Sequence, residues 1–190
     1  MKRFDVDLLT DRFHIRSIKP DDVSERWCQW TADPLAALLL NAPRQPLDIA
    51  QLRAHVESID QIDRIMVGLF DRHTGRHIGV IAADFIDDRK RIMPSILIGE
   101  PEFRNIGVMT EIRDTFGDHA FDNLPFDSAV ATVLAHNEVM IKIMESRGWR
   151  FLRKLEREKK RAEGRGYIDV LVYEFPRAVW YEQKAQRKSA

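Results

Sequence analysis

Cysteine is nearly absent. Cys28 is the single one among 190 residues, so no internal disulfide can form, and its place between Trp27 and Trp30 marks a reduced, packed thiol. Net charge is missing too: 30 Lys and Arg balance 30 Asp and Glu, which leaves no broad electrostatic handle for nucleic acid. No apolar window is long enough to span a membrane, and no membrane partner is expected. The opening MKRFDVDLLTDRF carries too many acids and too short an apolar stretch for a secretory signal, so the cytoplasm is the expected compartment. The histidines and acids fall in no spacing that suits zinc or another metal, and none is expected. No internal repeat or low-complexity block occurs.

What is present suffices for a core. With 44% hydrophobic residues in 190, a single domain over 1–190 is expected, its core at about 11–175 and a mobile tail at 184–190. Residues 13–18 alternate as a strand after a leading arm or edge element. Pro20-Asp21-Asp22 starts a helix whose apolar face holds Val23, Trp27 and Trp30, and Asp33-Pro34 breaks it. A second helix, capped by Asp48, runs to about residue 60. Strands follow at 65–70 and 78–85, joined by a turn at Thr74-Gly75, and a fourth at 92–99, where Pro94 warns of an edge or interruption. A helix from Gly107 to about 119, a strand at 126–134, a helix at 137–146 stopped by Gly148, and a strand at 167–175 complete the pattern. Between the last two, Trp149–Leu152 begins a further strand or extended segment, and the charged run 153–165 reads as a solvated connection or surface helix.

One stretch carries more than structure. Between the fourth strand and the next helix stands Arg104-Asn105-Ile106-Gly107-Val108-Met109. A turn that opens a helix leaves several backbone N–H groups without intrahelical partners, and so it suits an anion. Gly107 allows close backbone approach or a tight turn, and by itself the signal is weak, since many glycines between a strand and a helix only make the turn.

Three separated segments resemble the GCN5-related N-acetyltransferases, in the branch of ribosomal-protein N-terminal and bacterial amino-sugar acetyltransferases. They are Thr10–Arg16 (TDRFHIR), Arg104–Met109, and VLAHNEVMIKIMESRGW from Val133 to Trp149. The likeness spans about 11–175. It implies the acyl-CoA N-acyltransferase fold, an α/β (mixed α+β) domain with a twisted mixed central sheet and helices on both faces. It also implies acetyl-CoA as donor cosubstrate. Arg104 and the amides of Asn105, Ile106, Gly107, Val108 and Met109 would hold its pyrophosphate, with Thr110 adding a hydroxyl or simply joining the first helical turn. Asn137 would meet the pantetheine arm or cap its helix, and Lys142 would meet a phosphate or an exposed ion pair. Met109 departs from the small residue of the family motif, and Met144 stands where many members place a thiol-protonating tyrosine.

Direct transfer to an amine needs a base, and the resemblance offers Glu100, Asp84 and His136. The segment 38–46, between the first two helices, is a candidate acceptor wall. The implied function is acetyl transfer to a primary amine, with a small molecule such as an amino sugar favoured over a peptide N-terminus. Two other readings stand beside it: a non-catalytic acyl-CoA-binding or regulatory protein, suggested by Met109 and Met144, and a donor with a different acyl group. A homodimer is compatible with the residues, which do not specify one.

Overall fold

Apolar runs and caps set the elements. The structure of the chain, a computed structural model, describes residues 2–189. Eight strands form one sheet in the order β1-β2-β3-β4-β5-β6-β8-β7. They are β1 (Asp7–Leu9), β2 (Phe13–Ser17), β3 (Arg64–Asp71), β4 (His77–Ile86), β5 (Arg91–Ile98), β6 (Ser128–Leu134), β7 (Arg150–Lys160) and β8 (Tyr167–Pro176). The helices are α1 (Glu25–Cys28), α2 (Pro34–Leu40), α3 (Ile49–Glu57), α4 (Val108–Asn123), α5 (Glu138–Ser146) and α6 (Arg177–Ser189). The expected mixed sheet with helices on both faces is the architecture found.

Central strand β3 explains the two layers. Its residues from Ile65 to Phe70 are all buried, because both faces are covered. Ile65, Val67 and Leu69 pack in the same cluster as Val108, Ile112 and Phe121 of α4 and Trp180 of α6. Met66 and Phe70 point to the other cluster, with Trp27 of α1, Trp30, and Leu52 and Val56 of α3.

One pairing matters most for function. Every neighbouring pair of strands is antiparallel except β5 and β6, which run parallel and meet only at Arg91↔Ser128 and Ile92↔Ala129. On either side the ladders continue: β4 pairs with β5 up to Ile98, and β6 pairs with β8 up to Leu134. The two strands therefore splay apart toward their C-terminal ends. Pro94, two residues beyond the last β5–β6 pair, has no N–H to extend that ladder.

Two sequence expectations differ from what is found. Asp33-Pro34 does end the first helical segment, but it also starts α2: Asp33 accepts from the Ala36 amide at 2.8 Å and Pro34 takes the first helical position. The charged run 153–165 lies largely in β7, an outer strand whose charged side chains stay in solvent and guard its free edge. Residues 177–189 form α6, where Lys184 Nζ lies 2.7 Å from Asp122 and Arg187 bonds Asp118 at 2.9 Å. Ala190 lies outside the described residues.

Candidate active site

The splayed strands each deliver the chain to a helix N-terminus. β5 leads through a short 3-10 turn (Pro101–Phe103) into α4, and β6 leads through His136 into α5. Before α4, Asn105 and Gly107 adopt left-handed backbone at φ 61° and 82°. This kink turns the amides outward: the N–H groups of Asn105 through Met109 have no acceptor among the described residues. Such a nest, at the positive end of a 16-residue helix, is built to receive an anion. A Cβ on Gly107 would meet only Arg12, 3.7 Å away, so its place is fixed by its φ.

Side chains near this nest divide into engaged and available. Arg12 is engaged: Nε donates to Glu111 at 2.6 Å and Nη2 to the Ile106 carbonyl at 3.0 Å. Burial would raise the Glu111 carboxyl, but bonds from Thr10 and Arg12 outweigh it and hold it below the usual range. Arg104 is engaged as well, with Nε on the Ile98 carbonyl (3.0 Å), Nη2 on the Gly99 carbonyl (2.9 Å) and Nη1 on Asp33 (2.8 Å). Thr110 accepts from Arg147 Nη2 at 3.1 Å, and Arg147 has no carboxylate partner among the described residues. Neither Arg12 nor Arg147 carries a local sequence signal, since each reaches the turn from far along the chain. Val108 is buried, whereas Met109 is only half-buried.

Glu100 follows β5 directly and is fully buried. Its Oε1 accepts from Arg26 Nε at 2.7 Å and from the Trp30 indole N–H at 2.8 Å, while Oε2 accepts from Arg26 Nη2 at 2.5 Å and from Arg76. Gly99 makes this possible, because a Cβ there would lie 1.9 Å from the Trp30 ring. Asp84 is elsewhere: it pairs with Arg64 at the surface and sits opposite Met93. That is five residues, roughly 17 Å, from Gly79 at the open end of β4. His136 stands at the open end of β6, its Nε2 3.2 Å from the Leu38 carbonyl. A carbonyl only accepts, so Nε2 carries a proton and, in the neutral ring, the lone pair is on Nδ1.

Helix α2 crosses this open end. It begins beside β5 through Asp33 and Arg104, passes His136 at Leu38, and ends at Asn41. There Asn41 donates to the Lys160 carbonyl at 2.9 Å and accepts from the Ala162 amide at 2.9 Å, at the tip of the β7–β8 hairpin. On the other side Asn137 caps α5 by accepting from the Met140 amide at 3.1 Å. Lys142 is exposed on α5 with no ion-pair partner among the described residues, and Met144 is half-buried on the same helix. No cluster of potential metal ligands occurs among the described residues.

The family model described as Acetyltransferase (GNAT) domain matches residues 12–150, which include the nest and the open strands. The chain belongs to the GNAT acetyltransferase family. No curated protein matches the sequence. Among solved structures, a GCN5-related N-acetyltransferase from Brucella melitensis aligns with TM-score 0.77 at 15% identity, covering 100% of this chain and 86% of that one. The ribosomal-protein-S5-alanine acetyltransferase from Vibrio fischeri aligns with TM-score 0.73 at 16% identity, over 93% of this chain and 99% of its own. The microcin C7 self-immunity acetyltransferase MccE, solved with acetyl-CoA and AMP, aligns with TM-score 0.73 at 12% identity, over 87% and 93%. At these identities they share the fold, and neither the ribosomal nor the sugar branch is singled out.

A GNAT-type acetyltransferase takes its acetyl group from acetyl-CoA. The residues at the nest fit that donor: unpaired backbone N–H groups suit a pyrophosphate, and the glycine at the turn leaves its approach open. No helix of the described residues is long and apolar enough to cross a membrane.

Proposed function

We propose that this GNAT enzyme moves the acetyl group of acetyl-CoA directly to the primary amine of a small molecule, an amino sugar being one such acceptor. In this reading the donor pyrophosphate sits on the amides of Asn105–Met109, flanked by Arg147, and the pantetheine arm enters between β5 and β6 past Asn137. The nest of unpaired amides beside strands that part from each other is the observation that carries it.

For the chemistry, the amine nitrogen attacks the thioester carbonyl, the C–S bond breaks, and coenzyme A leaves as a thiolate. His136 Nδ1 takes the amine proton, and a water relays that proton on to the thiolate, since Met144 has none to give. Glu100 does not serve as base in this scheme, because four bonds from two arginines and an indole already hold its oxygens. Asp84 is too far along β4.

The preference for a small acceptor rests on α2. Its contacts with His136 and the β7–β8 tip narrow the entrance that an extended peptide would need. Release of free thiol is measured with acetyl-CoA and a panel holding glucosamine, polyamines and peptides with free Ser or Ala N-termini. Turnover of small amines above peptides supports the reading. Turnover confined to peptides overturns the acceptor, and tight binding with no turnover of any amine favours the non-catalytic reading that Met144 suggests.

A further inference from the structure

We infer that Arg104 is a positioning residue that joins α2 to the end of β5, and that it does not bind the donor phosphates. The inference rests on the proposed donor site. Three of its nitrogens are spent inside the protein: on the Ile98 carbonyl, the Gly99 carbonyl and the Asp33 carboxylate, at 3.0, 2.9 and 2.8 Å respectively. Its side chain is only 16% exposed. Turning it toward the nest would leave the last two carbonyls before Glu100 without these donors and strand the Asp33 carboxylate half-buried beside them.

Asp33 gives the ion pair its reach. The same Oδ1 that receives Arg104 also caps α2 through the Ala36 amide, so the arginine holds the first turn of that helix. Burial pushes the Asp33 carboxyl up, but the Ala36 amide and Arg104 pull harder and leave it lowered. At its far end α2 is held by Asn41 on Lys160 and Ala162. Helix α2 is thus a crossbar about 10 Å long, pinned at both ends, and Arg104 is the pin on the donor strand. The acceptor wall and the donor turn move as one because of it.

The test compares Arg104→Gln, Arg104→Lys, Asp33→Asn and Arg147→Ala with the unaltered protein. Acetyl-CoA binding is read by calorimetry, backbone exchange of 36–42 by hydrogen–deuterium exchange, and the Asp33 titration by NMR. A hydrogen bond to a charged group sets the scale, so Arg104→Gln is expected to speed exchange in α2 about tenfold or more. It also raises the Asp33 titration and leaves the acetyl-CoA Kd within about threefold, since no donor contact is lost. Asp33→Asn gives the same exchange with the same Kd, and Arg104→Lys falls between, because a compact ammonium cannot span the three acceptors that separate guanidinium nitrogens reach. Arg147→Ala shows the reverse: weaker acetyl-CoA binding with α2 exchange unchanged. A Kd weakened tenfold or more in Arg104→Gln, with α2 protection and the Asp33 titration unmoved, overturns the inference. Failure of the unaltered protein to bind acetyl-CoA would instead sink the donor-site reading, and the exchange and titration results would still decide whether Arg104 pins α2.

Discussion

His77 stands between Trp27, Trp30 and Phe70, with ring centroids 4.9, 5.0 and 4.7 Å away. Its Nε2 donates to the Gly79 carbonyl at 2.9 Å, and its buried Nδ1 has no partner among the described residues. Burial lowers its pKa from 6.5 to about 4, only partly offset by the nearby Asp22, which is itself paired with Arg16. Between those two values the unfolded chain binds a proton that the folded chain refuses. Stability is therefore full above pH 6.5 and declines as the pH falls toward 4, by about 2–3 kcal/mol at the low end. His77→Gln keeps a donor for Gly79 and removes the titration. Urea unfolding at pH 7.5 and 4.5 should show a smaller loss for this variant than for the unaltered chain; equal losses would mean that His77 titrates normally. His136 differs in kind, being exposed and at the open end of β6. If it takes the amine proton, His136→Gln lowers kcat about a hundredfold or more while acetyl-CoA affinity holds. An unchanged kcat would remove it from the mechanism.

Among the elements, α6 shows best what long-range packing adds. Trp180 is 3% exposed, stacks on Phe121 of α4 at 4.7 Å and 8°, and donates its indole N–H to Asp118 at 2.8 Å. Trp180→Ala should cost about 3–5 kcal/mol, read as a lower urea midpoint, and a loss under about 1 kcal/mol would show α6 to be merely laid on the surface. The 13-residue helix was not read from the sequence: its few apolar residues are outnumbered by polar ones, and the partners that bury Trp180 lie some sixty residues away. β7 was readable only at its start, where Trp149–Leu152 marks a strand or extended segment; beyond it, an outer strand dense in Lys, Arg and Glu lacks the apolar alternation that marks a strand. By contrast α3 was readable from the Asp48 cap and the spacing of Leu52 and Val56, and β3 from its unbroken apolar run.

At the scale of the molecule, the sheet order and the parting of β5 from β6 arrange what the sequence could only suggest. The nest was foreseeable, because Gly107 before a helix announces a left-handed turn and exposed amides. The fates of charged neighbours were not. Glu100 and Arg104 look available in one dimension, and only the arrival of Arg26, Trp30, Arg76 and Asp33 from other elements reveals them as fixed parts of the frame. The fold thus brings α2 against both Arg104, just before the nest, and His136 at the end of β6. Calorimetric titration of acetyl-CoA into the unaltered protein and into Gly107→Trp tests the proposed donor site most directly. Gly107 is exposed and away from the core, so the strain of a side chain at φ 82° falls on the turn, and circular dichroism checks that the fold is kept. Micromolar binding by the unaltered chain, lost by about a hundredfold or more in the folded variant, is the predicted result. Equal binding by both proteins, or none by the folded unaltered chain, would contradict a donor site on the Asn105–Met109 amides.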